Sequence, residues 1–244
     1  MNSDQKHDRR EPSLGGENDS SKLTGREVRL GSDRALPRLL EGLRSPESKD
    51  RWAAARALRQ IGKPAIPGLL LAMQEDDPYI KGVAAETLGR IGEEALPYLI
   101  LSLREGASGE RVGAAWALGR IGGEAVLAPL LAALHDPDDY VQRSASHALG
   151  EIGHGVVPKL ITALHDPDNR VRWGAARALE RTCDPRALDD LITLLDDPDP
   201  VVRAAVLRTV ESYHTEQSDA AISAWRTRGG SVGNETITYH DPSE

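Results

Sequence analysis

The chain has no phenylalanine, and aromatic residues together make up only 4% of its 244 positions. A thick globular core built around large rings is therefore excluded. Hydrophobic residues still reach 39%, so the buried surface must come from Ala, Leu, Ile and Val, which suit helices packed closely over a thin layer. A single cysteine, Cys183, excludes an internal disulfide framework and fits a reducing compartment. No apolar run approaches the roughly 18–20 residues needed to span a bilayer; the most apolar stretch, AIPGLLLAM at 65–73, is far too short. The opening MNSDQKHDRREPSLGGENDSS is polar and lacks the apolar segment of a signal peptide. These absences lead us to expect a soluble cytoplasmic protein with no membrane partner. A formal charge of −8 speaks against general nucleic-acid binding, although net charge does not say where charges sit.

What the chain does contain is repetition. AAARALRQIG (53–62), VAAETLGRIG, GAAWALGRIG, SASHALGEIG and GAARALERTC (174–183) are variants of one helical phrase. Marker residues Leu58, Leu88, Leu118, Leu149, Leu179 and Val210 follow one another at spacings of 30, 30, 31, 30 and 31. Six copies thus occupy about residues 33–213. Each copy reads as two helices. The first opens with Pro37, Pro67, Pro97 or Pro158 in its first turn, where a missing N–H costs little. An acidic turn such as HDPDDY or DDPDPV stops it and caps the next. The second helix carries an apolar stripe, as at Val171, Ala175, Ala178, Leu179 and Thr182, and ends on Gly62, Gly92, Gly122 or Gly153.

One helix pair cannot bury both of its faces, but stacked pairs can. The expectation is an all-α, right-handed α-solenoid whose second helices line the concave side. The pattern DPDxxVRxxAAxALGxIG, with an opening A-[LIV]-P-x-L, resembles the HEAT repeats of the phycobilisome-lyase type. That resemblance covers the six copies and implies an armadillo-type fold used mostly for binding. Beyond the repeats, DAAISAWRTRGG (219–230) reads as a half-repeat, so a capping helix is expected over 214–230. Residues 1–32 and 231–244 are polar and are expected to be disordered tails.

A base follows each turn acid by six positions in Glu75/Lys81, Glu105/Arg111, Asp166/Arg172 and Asp197/Arg203, with Ser45/Arg51 and Asp136/Gln142 in the other copies. A spacing kept this often reads as a structural ladder tying the repeats together. The positions that vary are more informative about binding. At 100° per residue they point away from the core stripe. The first such position holds Trp52, Gly82, Val112, Arg143, Trp173 and Ala204. The second holds Arg56, Glu86, Trp116, His147, Arg177 and Arg208. A third holds Arg59, Gly89, Gly119, Gly150, Glu180 and Glu211; a marginal one holds Gln60, Arg90, Arg120, Glu151, Arg181 and Ser212. Three of the four tryptophans fall on this face, with eight arginines against four glutamates. Exposed Trp and Arg are typical of binding hot spots, and Arg presents a planar fork to carboxylates. The competing role for these residues is packing: rings lying flat on neighbouring helices, and arginines paired with nearby glutamates.

Signals for chemistry are weak. His135 and His165 share a turn position, and His147 and Glu151 stand four apart on one helix. The related deoxyhypusine hydroxylases hold two irons with His-Glu dipeptides, which this chain lacks, so no metal is expected. Cys183 reads as a small apolar filler. Two enzymatic alternatives follow from family resemblance: a phycobilin lyase or isomerase holding a tetrapyrrole and its acceptor protein, and a HEAT-like DNA glycosylase. The reading the residues favour is a non-catalytic, monomeric interaction scaffold without cofactor. Its groove, formed by Trp52, Arg56, Arg90, Trp116, Arg120, Arg143, His147, Trp173, Arg177, Arg181 and Arg208, is expected to bind a protein or an acidic peptide segment.

Overall fold

The computed structural model describes residues 32–232, and the expected tails lie outside them apart from Ser32, Ser231 and Val232. Every regular element among the described residues is helical. The first helices of the six pairs are α1 (Ser32–Gly42), α3 (Ile66–Ala72), α5 (Leu96–Glu105), α7 (Leu127–Ala132), α9 (Val157–Ala163) and α11 (Leu188–Thr193). The second helices are α2 (Ser48–Ile61), α4 (Pro78–Ile91), α6 (Ser108–Ile121), α8 (Asp139–Ile152), α10 (Asn169–Thr182) and α12 (Pro200–Glu211), followed by α13 (Glu216–Thr227). Each pair packs on the next, which makes the chain an all-α solenoid.

Local chemistry sets the boundaries. Asp77, Asp138, Asp168 and Asp199 cap α4, α8, α10 and α12 by accepting from backbone amides of the first turn. Gly62, Gly92, Gly122 and Gly153 close α2, α4, α6 and α8 at φ between 68° and 85°, a region that side chains disfavour. Cys183 must take that role after α10, at φ 42°. Short 3₁₀ turns such as Lys63–Ala65 precede the later first helices, so Pro67, Pro97 and Pro158 stand at the helix starts. Pro37 differs from expectation. The described part of α1 begins at Ser32, which leaves the proline inside the helix.

The core is a thin aliphatic layer. Leu58, Leu88, Leu118, Leu149, Leu179 and Val210 are fully buried, as are Leu69, Leu99, Leu130, Leu160 and Leu191 on the first helices. The second helices approach one another at backbone distance. A Cβ on Gly119 would lie 2.6 Å from the Cβ and 2.8 Å from the Cα of Ala148. A Cβ on Gly89 or Gly150 would meet the carbonyl of Ala117 at 3.2 Å or of Ala178 at 3.1 Å, and the Arg120 or Arg181 side chain at 2.7 or 2.8 Å. This corrects the sequence reading of the third variable position: in α4, α6 and α8 it is a helix–helix contact, and glycine is there because no side chain fits. At the C-terminal end α13 buries Ile222 and Trp225 against the last repeat, with Thr215 and Ser218 forming a reciprocal capping box.

The turn ladder exists, but its partners differ from the simple pairing of each base with its own turn acid. Arg172 donates from Nη1 to the backbone carbonyl of Asp166 (2.9 Å), while Nε and Nη2 fork onto Asp197 of the next repeat at 2.8 and 3.0 Å. Arg111 repeats this, donating to the Gly106 carbonyl and to both oxygens of Asp136. Gln142 donates to the Asp136 carbonyl and keeps only the backbone half. Arg111 and Arg172 thus each close their own turn and clamp the following one, whereas among the described residues Arg51 and Arg203 bond only the carbonyls of their own turns and, for Arg203, that of Ser231.

Candidate functional site

The second helices carry the variable residues onto one continuous face. Trp52 and Trp116 remain 45% and 40% exposed, unusual for rings of this size. Arg56, Arg90, Arg120, Arg181 and Arg208 are exposed beside them, and Arg143, His147 and Arg177 are half-buried. Trp173 departs from the expected solvent-facing placement. It is half-buried and packs on the core, with the Arg177 guanidinium carbon 5.9 Å from its ring centroid. A large apolar ring beside a layer of buried alanines gains by lying against it, so Trp173 combines packing with partial exposure.

Pairing divides the face. Glu86 accepts from Arg90 at 2.7 Å and lies 3.4 Å from Arg120 of the next repeat. Glu180 accepts from Arg208 of the next repeat at 2.8 Å and lies 3.8 Å from Arg177. Glu151 pairs with Arg181, and Glu211 with Arg226. Between α4 and α6, α8 and α10, α10 and α12, and α12 and α13, a glutamate of one element thus holds an arginine of the next. Sequence reasoning weighed arginines paired with nearby glutamates but did not place those partners in neighbouring repeats. The signal available was the stripe glutamate preceding a stripe arginine by about one period. Among the described residues no carboxylate pairs with Arg56 or Arg59.

Two shallow depressions lie along the face. One, of about 170 Å³, is lined by Trp52, Ala55, Arg56, Arg59, Glu86, Thr87 and Arg90. The other, of about 250 Å³, is lined by Trp116, Gly119, Arg120, His147, Ala148 and Glu151. In the second, the rings of Trp116 and His147 stack at 5.4 Å and 22°. These depressions present flat π-surfaces and guanidinium donors.

Several further titratable groups lie in or beside the turns. His135 stands 3.7 and 3.8 Å from Asp166 and Asp168, and His165 contacts Asp190 at 2.8 Å. The Arg170 guanidinium holds the Asp168 carboxyl down at about 2, and Arg186 holds that of Asp184 well below the carboxylate range. Burial pushes the Tyr213 phenol up; it donates to the Asp184 carbonyl at 2.8 Å. Cys183 is exposed rather than a core filler, because the helix ends at it and its left-handed backbone turns the side chain outward. No group of three or more His, Cys, Asp or Glu among the described residues could hold a metal ion. No helix among them is long and apolar enough to cross a membrane.

The family profile for HEAT repeats matches residues 36–119, 66–144 and 127–211. The chain belongs to the HEAT-repeat family. Among solved structures it is similar to the Escherichia coli protein YibA, at 18% identity and a TM-score of 0.50, over 91% of this chain and 82% of that one. It is also similar to human deoxyhypusine hydroxylase in complex with glycerol, at 22% identity and a TM-score of 0.41, over 73% and 84% of the two chains. A designed armadillo repeat protein in complex with the peptide (KR)4 aligns at 19% identity and a TM-score of 0.37, over 73% and 99%. No curated protein sequence matches the chain significantly.

Proposed function

We propose that this protein is a non-catalytic interaction scaffold that binds a protein partner, through an acidic segment of it, on the face of its second helices. The observation that carries this reading is the pair of exposed tryptophans, Trp52 and Trp116, each set among arginines on neighbouring second helices. Tryptophan gives a large contact area with few rotamers to lose, and arginine gives directed pairing to carboxylates. Close approach at Gly89, Gly119 and Gly150, with little contact between successive first helices, favours curvature toward this face and hence a groove. A hydrolytic reading such as the glycosylase would need a groove carboxylate available to act, yet Glu86, Glu151, Glu180 and Glu211 each hold an arginine.

Affinity capture with cross-linking from the native host tests the reading. Trp52→Ala with Trp116→Ala should leave the helical spectrum intact while weakening capture by at least about 2 kcal/mol, roughly thirtyfold. Unchanged capture by that double variant would move the interaction to another surface.

A further inference from the structure

The charge that remains for a partner is concentrated at the N-terminal end of the face. From α4 onward the stripe arginines are largely engaged. Arg90, Arg120, Arg177, Arg181 and Arg208 each have a glutamate within ion-pair distance, and most of these pairs join one repeat to the next. A partner approaching them must compete with carboxylates already in place, so their net attraction is small. Arg56 and Arg59 are different. They stand three apart on one face of α2, both exposed, and no carboxylate among the described residues pairs with them. They share one depression with Trp52 and with Arg90, whose only facing acid there is Glu86. This recess therefore holds three arginines against one glutamate in a chain of net charge −8. Thr87 lines the recess too, but its hydroxyl is buried and donates to the Val83 carbonyl.

We infer that the Trp52–Arg56–Arg59 recess is the anchor for an acidic peptide, taking two neighbouring carboxylates on the arginines and an adjacent apolar side chain on the Trp52 ring. This deepens the proposed function and rests on it. The two guanidinium groups lie one helical turn apart, within reach of consecutive acidic side chains on one segment. Trp52 supplies the apolar floor, with nearly half its surface open. The depression at Trp116 lacks this excess, since its Arg120 lies near Glu86 and its Glu151 holds Arg181. It serves as a contact surface further along the same partner. Binding therefore has a direction, with the acidic residues of the partner at the first two repeats.

The test uses the full chain and a fluorescein-labelled peptide, Glu-Glu-Leu repeated three times, read by fluorescence anisotropy. The Gln-Gln-Leu peptide and a single-stranded oligonucleotide serve as controls. Wild type should bind the acidic peptide, and Arg56→Ala with Arg59→Ala should weaken it roughly tenfold or more, the loss of two charge-assisted contacts. Arg38→Ala with Arg104→Ala, both exposed on first helices, should change it less than about twofold. Raising salt from about 50 to about 500 mM should weaken binding by wild type more than by the Arg56/Arg59 variant. Equal losses in the two double variants, or none at Arg56 and Arg59, would overturn the anchor. So would tighter, Arg56-dependent binding of the oligonucleotide, which would assign the recess to phosphate. A wild type that captures a host partner but ignores the acidic peptide refutes the anchor and leaves the scaffold reading standing. Partner capture that fails while the peptide still binds at Arg56 refutes the scaffold reading instead.

Discussion

Replacing Arg172 by alanine should destabilise the seam between the fifth and sixth repeats far more than Arg177→Ala on the variable face of the second helices. The Arg172 side chain is 12% exposed and that of Asp197 is 1% exposed, so neither is well solvated. The guanidinium donates two bonds to the carboxylate and one each to the carbonyls of Asp166 and Pro167. Truncation leaves Asp197 charged and buried, with the Asp199 amide still donating to it at 2.9 Å. Breaking a fully buried pair costs about 3–5 kcal/mol, and water entering the vacated turn relieves part of that, which leaves about 2–3 kcal/mol. Arg177→Ala, removing a partly exposed side chain with a long 3.8 Å ion contact, should cost less than about 0.5 kcal/mol. Urea unfolding followed by circular dichroism measures both. Hydrogen exchange should show the Arg172 loss concentrated in α12 and α13, because a solenoid opens repeat by repeat. Adding Asp197→Asn should recover at least about 1 kcal/mol of the Arg172→Ala loss, since it removes the stranded charge. Similar shifts for Arg172→Ala and Arg177→Ala, or strict additivity with Asp197→Asn, would refute the assignment of clamp and surface.

Gly119→Ala should destabilise by about 1–2 kcal/mol despite alanine's higher helix propensity, since the new Cβ meets Ala148 at 2.6 Å. Gly82→Ala in α4, with nothing within 4 Å, should instead stabilise by about 0.5–1 kcal/mol, and thermal melts of the two should shift in opposite directions. Cys183→Gly should raise stability by about 1 kcal/mol, because it relieves a left-handed side-chain conformation at a helix end; a lower melting temperature would refute that. Stability should also fall on acidification from about pH 4 towards pH 2. The folded-state pKa of Asp168 is lowered to about 2, so its contribution is present above the unfolded value near 3.9 and lost as it protonates. Arg170→Ala should move that loss to higher pH.

The architecture was legible because repetition averages over local ambiguity. A single phrase such as VAAETLGRIG is a weak helix signal, but five variants at one spacing fix both helix and register. The caps followed from the same logic, since Asp77, Asp138, Asp168 and Asp199 recur at one position with one geometry. Features depending on distances between repeats were less accessible. The reach of Arg172 to Asp197, 25 residues on, and the tight passage at Gly119 depend on how far apart two helices sit. Helical periodicity reports which way a residue points and says nothing of what stands opposite. For that reason Gly119 and Trp116 look alike on a helical projection, yet one is a contact and the other is open.

The same distinction decides what the arginines mean. Counted on a projection, eight arginines against four glutamates give a uniformly basic wall. Placed in space, the glutamates are displaced by about one repeat from many of the arginines they hold, so neutralisation propagates toward the C-terminus. The last of them, Glu211, is matched by Arg226 of the cap. Arg56 and Arg59 are left without carboxylate partners among the described residues. They stand beside the more exposed of the two open tryptophans, Trp52 at 45%, so apolar contact area and uncompensated charge meet in one recess. Arg59 is also the one arginine at the third stripe position, where the other five copies carry glycine or glutamate.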